Sequence, residues 1–165
     1  MRTIYLVITV LIFLLLQAVV APRVAIGPVE PDFILLIVIF LALIRGPIYG
    51  AIAGFIIGFI LDLGNADLLG LNALVGSIVG YAVGQVGART FPDNILFKFG
   101  LFVAVAWMHD AIYLFVYHWP RIGTSIGEIF AVALPSAVLT AVAGVIADRV
   151  IARIDTEWMG VGKAG

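Results

Sequence analysis

Between Arg45 and Asp62 the chain reads Arg-Gly-Pro-Ile-Tyr-Gly-Ala-Ile-Ala-Gly-Phe-Ile-Ile-Gly-Phe-Ile-Leu-Asp, with glycine at 46, 50, 54 and 58 and the next step of four on Asp62. Residues four apart share one ridge of a helix, so this ridge carries no side chains and ends in a carboxylate. In water each glycine inside a helix costs roughly 0.8–1 kcal/mol relative to alanine, which makes four of them a poor helix. In a bilayer the backbone must bond to itself regardless, and glycine lets a second backbone come close. The stretch therefore predicts a packing helix in a membrane. Steps of four overshoot a helical turn, so the ridge winds about 160° by Asp62. That drift predicts two neighbours, with the first half meeting a span of this chain and Gly54 to Asp62 left for a partner.

Composition agrees with a membrane setting. The 165 residues are 64% hydrophobic and 12% charged, with a mean hydropathy of +1.22, too little polar residue to clothe a soluble domain. A net charge of −1 gives no sign of a nucleic-acid partner, and the absence of cysteine excludes disulfides, thiolate nucleophiles and Cys-bound metals. Any function then belongs in or beside the lipid bilayer.

Hydropathy and breakers divide the chain into six spans, at about 3–20, 28–44, 47–62, 68–86, 97–117 and 129–151, as a single polytopic membrane domain over 1–165. The first span reads as uncleaved, because Pro22 follows the one small-residue cleavage position, Ala21. The second is short: Asp32 suits an N-cap, and only Phe33 to Ile44 follows as helix. Either it borrows residues around Pro28 to Pro31 or the bilayer thins. Gly64 suits a C-terminal cap for span three. Span four repeats the ladder with Asn72, Gly76, Gly80 and Gly84, and a short loop makes it the antiparallel neighbour of span three. Asp93 is placed to cap span five, and Pro135 to bend span six. Six spans put both termini on one side. Arg2, Arg45, Arg89, Lys98, Arg149, Arg153 and Lys163 share that side against Arg23 and Arg121 on the other, so the termini are cytoplasmic by the positive-inside rule.

Intramembrane polar residues are the places to look for chemistry. Asp62 ends its helix at the negative end of the dipole, which disfavours its charge unless donors are near. It is either a contact point or protonatable switch, or an interfacial acceptor for backbone groups of the loop. His109 and Asp110 fall mid-span, where ionisable groups are costly. Sequence neighbours diverge by about 100° on a helix, which argues against a dyad between them. Hydrogen bonds to Asn72, Ser77 or Tyr81 that fix helix register are the plain reading, and a proton or metal relay the sharper one. A metal would need Asp62 or Asp148, and no ligand spacing supports that. No metal or cofactor is expected. No Gly-x-Ser-x-Gly elbow or phosphate-binding loop is present, so the residues argue against an enzyme.

Pro31-Asp32-Phe-Ile-Leu-Leu-Ile-Val, Ala42-Leu-Ile-Arg45-Gly46, Gly54-Phe-Ile-Ile-Gly58-Phe-Ile-Leu-Asp62-Leu63 and Leu69-Gly-Leu-Asn72-Ala-Leu74, with mid-span Asp110, resemble the bacterial rod shape-determining MreD family. The likeness is strongest from Pro31 to Leu74. Family members often carry serine-glycine where this chain has Gly64-Asn65. The resemblance implies an all-α integral membrane protein, a six-transmembrane-helix bundle similar to the S component of energy-coupling-factor transporters. It also implies a non-catalytic scaffold of the cell-wall elongation machinery in the cytoplasmic (inner) membrane. MreC would be the pairing partner, with RodA and a class B penicillin-binding protein beside it and MreB acting indirectly. The competing reading is a vitamin-binding S component. Against it, the first span lacks the Ala-x-x-x-Ala ridge such components use, and few polar groups are available to line a pocket.

Overall fold

The computed structural model describes residues 2–64, 69–89, 94–118 and 126–158, with side chains described over 11–64, 69–87, 94–118 and 126–150. Asp93, Arg121, Thr124 and Ser125 lie outside the described residues. The described chain is all-helical: α1 Arg2–Val19, the single turn α2 Ala21–Val24, α3 Phe33–Arg45, α4 Pro47–Asp62, α5 Leu71–Arg89, α6 Ile95–Tyr117, a π-helical turn Ile129–Ala133 and α7 Leu134–Trp158. Ile95–Tyr117 and Ile126–Val150 are long and apolar enough to cross a membrane, and four further described segments are shorter apolar helices.

The short α3 is the centre of the bundle. Eight of its residues, Phe33, Leu35 to Phe40 and Ala42, are buried, as suits a helix apolar on all sides. It packs against α1, α4, α5 and α7. Phe40 sets its ring between Phe13 of α1 at 5.9 Å and Phe102 of α6 at 5.8 Å. The helix within the span expected over 28–44 starts at Phe33, so it does not borrow the residues around Pro28 to Pro31. Residues 25–32 do not join the helix, because Gly27 turns at φ 64° and Ile26 bridges Val29, while Pro31 disfavours helical backbone angles at Glu30.

α3 and α4 meet at Gly46 alone, whose φ of 92° only glycine takes without strain, and Pro47 opens α4 at a position where its missing N–H costs nothing. At the other end of α4, Leu63 is the C-cap in right-handed conformation. Gly64 therefore does not provide the left-handed cap expected of it. Among the described residues of this connection the left-handed one is Gly70, at φ 100°. Asn94 caps α6, accepting from Leu96 N at 2.9 Å. Pro135 has no amide to give the carbonyl four residues back, and the widened π turn just before it absorbs that loss. The indole of Trp107 donates to the Ile129 carbonyl in that turn, at 3.3 Å.

Candidate functional site

The glycine ladders lock α4 to α5. Built Cβ atoms on Gly50, Gly54 and Gly58 would strike the backbones of Gly80, Gly76 and Asn72 in turn, and one on Gly84 would strike Pro47. In the reverse direction a Cβ on Gly76 would lie 2.6 Å from the Gly54 carbonyl oxygen, inside any tolerable contact. The expectation that Gly54 to Asp62 stays open for a partner is thus corrected. Both helices step by four, so their ridges drift in the same sense and stay together along the pair. Gly46 is the exception among the rungs, since a Cβ there would meet nothing within 4 Å. It is the corner of the chain rather than part of the contact.

Asp62 ends the ladder by capping the next helix. Its carboxylate, 1% exposed, accepts from Gly70 N at 3.0 Å, Asn72 N at 3.1 Å, Asn72 Nδ2 at 2.9 Å and Ala73 N at 3.0 Å. The three backbone amides among them are unpaired donors at the start of α5. The carboxylate therefore faces the positive end of α5 as well as the negative end of its own helix, and four donors hold its charge.

The start of α3 is satisfied by side chains from elsewhere in the bundle. Asp32 Oδ1 accepts from Leu35 N at 2.7 Å, and Gln17 Oε1 of α1 accepts from Phe33 N at 2.8 Å. From α7, Thr140 Oγ1 accepts from Asp32 N at 2.9 Å and donates to Ser136 O at 2.9 Å. Ser136 Oγ accepts from Glu30 N at 3.3 Å. Irregular backbone among apolar helices survives only when every amide is answered in this way. In the sequence Gln17 is the one strongly polar residue of the first span, and Ser136 and Thr140 lie on a small-residue ridge that continues to Gly144 and Asp148; neither pattern by itself points to α3. The signal that could have joined them is the proline-broken loop, whose amides needed partners.

Asp32 reaches the middle of α6. One donor atom each from Asp32, His109 and Asp110 lies within 4.8 Å of the others. His109 Nδ1 stands 3.1 Å from Asp110 Oδ1, so the two do form a pair, contrary to the helical-angle argument. Adjacent Cα atoms are 3.8 Å apart, and two side chains of this length can lean together across the angle between them. The register bonds expected of His109 are absent among the described residues: Asn72 serves Asp62, Ser77 donates to Ala73 O, and the Tyr81 hydroxyl accepts from Gln85. A cavity of about 20 Å³ adjoins Asp32, His109, Asn72, Gly54 and Gly58, room for about one water. Asp148, the other carboxylate considered for a metal, pairs instead with Lys98 at 2.8 Å.

The family model described as rod shape-determining protein MreD matches residues 1–146. The chain belongs to the MreD family. The match runs well beyond the Pro31 to Leu74 stretch and takes in α6 and the polar face of α7 with Ser136 and Thr140. Membership gives the chain a role in determining rod shape, as a membrane protein of a family that is not one of enzymes. Neither a curated protein nor a solved structure matches it.

Proposed function

We propose that this MreD-family chain is a non-catalytic membrane scaffold of the peptidoglycan-synthesising elongation machinery. It crosses the bacterial inner membrane six times with both termini in the cytoplasm. MreC is its direct partner, RodA and a class B penicillin-binding protein act beside it, and MreB acts through them. The family match over residues 1–146 carries this reading. The packing supports a scaffold, because the glycine ladders of α4 and α5 and the Asp62 carboxylate at their end are spent on holding these two helices together. The cavity beside Asp32 is far below the 300 Å³ or more that a vitamin-sized ligand needs. The larger hollow lies along α1 and is lined by aliphatic side chains alone, Ile12, Leu15, Leu16, Val19 and Val20.

Because α5 covers the ladder, the partner meets other faces of the bundle. Photo-crosslinking residues at Phe55, Ile78 and Val138, all outward-facing, test this in native membranes. MreC, identified by mass spectrometry on at least one of these positions, is the expected product. Failure to recover MreC from cells in which the folded protein is present overturns the pairing.

A further inference from the structure

The ionisable cluster at the start of α3 has no counterpart in the scaffold role. Two carboxylates and an imidazole meet among apolar helices, with the His109 side chain 13% and that of Asp110 27% exposed. Among the described residues no lysine or arginine lies within ion-pair distance of Asp32 or Asp110. Two carboxylates so placed need compensating charge, and a protonated His109 beside Asp110 supplies only one positive charge. A divalent cation neutralises both at once and leaves His109 neutral, the form in which imidazole binds metals.

The geometry agrees. Two donors about 2.0–2.2 Å from a tetrahedral zinc lie roughly 3.3–3.6 Å apart; His109 Nδ1 and Asp110 Oδ1 stand 3.1 Å apart, so a separation of a few tenths of an ångström exchanges their hydrogen bond for a shared metal. The donor of Asp32 completes a set of three within 4.8 Å. Asp32 is held in place by Leu35 N on its carboxylate and Thr140 on its amide, the outer-shell support that metal ligands usually have. The adjoining cavity of about 20 Å³ leaves room for a water as a fourth ligand. Mixed nitrogen and oxygen donors favour zinc and its first-row neighbours over magnesium, which prefers oxygen alone.

We propose that Asp32, His109 and Asp110 form a binding site for one first-row divalent cation, with zinc the best fit, clasping the loop before α3 to the middle of α6. The site is independent of any partner and is open to test in the purified chain. Protein stripped with EDTA in detergent is titrated with zinc chloride by calorimetry, and its melting followed by circular dichroism. One equivalent of zinc is expected to bind. At 100 times its Kd it should raise the melting temperature by roughly 5 °C or more, while magnesium at the same concentration leaves it unchanged. His109→Gln and Asp110→Asn should each weaken zinc by at least roughly ten-fold with an unaltered helical spectrum. Should either variant fail to fold, cobalt replaces zinc in the wild-type chain, where a tetrahedral visible spectrum that zinc displaces is the expected signature. Absence of zinc binding by the stripped wild type, or an affinity unchanged in both folded variants, overturns the proposal. So does a cobalt spectrum of bare aqueous ion, or an equal response to magnesium.

Discussion

At the scale of single residues, glycines in this chain do two opposite jobs. Gly54 stands where α5 presses its backbone, so a methyl group has nowhere to go except by driving the helices apart. Gly100, inside α6, has nothing within 4 Å of where its Cβ would stand, and there glycine contributes only its backbone entropy. Gly54→Ala is therefore expected to destabilise the protein by about 1–3 kcal/mol, while Gly100→Ala is neutral or stabilises by up to about 1 kcal/mol. Unfolding midpoints of the two variants against the parent, in one detergent, check the sign as well as the size. Equal effects from both would show that helix propensity rather than close approach governs the ladder. That glycines would pack was legible from their spacing alone. Which helix they met was legible only in part, because the drift argument treated one ridge in isolation and α5 carries the same drift. Asp62 shows the same limit: its place at a helix end could be read directly, but its donors belong to the far end of the connection, at Gly70 to Ala73.

At the scale of elements, α3 is a short helix whose start is completed by other helices. Asp32 as its N-cap followed from local sequence, since capping needs only a residue and the three that follow it. The contributions of Gln17, Ser136 and Thr140, and the approach of Asp32 to His109, did not follow. They depend on how deep the loop before α3 sits, which is set by tertiary packing of α1, α6 and α7 around an all-apolar helix. Thr140 is the most exacting of these residues, because one hydroxyl both answers the Asp32 amide and bonds within its own helix. Thr140→Val keeps the shape and strands the Asp32 N–H, at a cost of about 1–2 kcal/mol. Thr140→Ser keeps the hydroxyl and should lose less than half as much. Thermal midpoints of the two variants make the comparison, and a serine variant no better than valine would show that methyl packing outweighs the hydrogen bond. α6 and the helix that follows it are tied near both ends, by Lys98 with Asp148 at 2.8 Å and by His118 with Glu128 at 3.4 Å. These ties hold α6 in register with α7 while the middle of α6 faces Asp32.

At the scale of the whole molecule, orientation follows from charge. Seven of the nine Lys and Arg residues belong to the side of the termini if the chain crosses six times, and moving any one span out of the membrane would mix the two sets. On the proposed six-span topology, cytoplasmic retention of positive residues would place the turn around Ile26 outside and the Gly46 corner inside. The chain contains no cysteine, so a single introduced thiol reports its own side without background. Ile26 is 75% exposed and its backbone is held by Val29 rather than by its side chain, which makes Ile26→Cys a mild change. Intact cells treated with a membrane-impermeant maleimide should label Ile26→Cys, and a cysteine added after Gly165 should label only once the membrane is opened. Labelling of the terminal cysteine in intact cells would invert the molecule. Labelling of both positions there would mean an even number of crossings between them, instead of the five that six spans require. An even count would arise most readily by loss of α3 as a crossing, because 13 residues of helix span only about 20 Å; on the proposed topology its completion by Gln17, Ser136 and Thr140 is what would let so short an element cross.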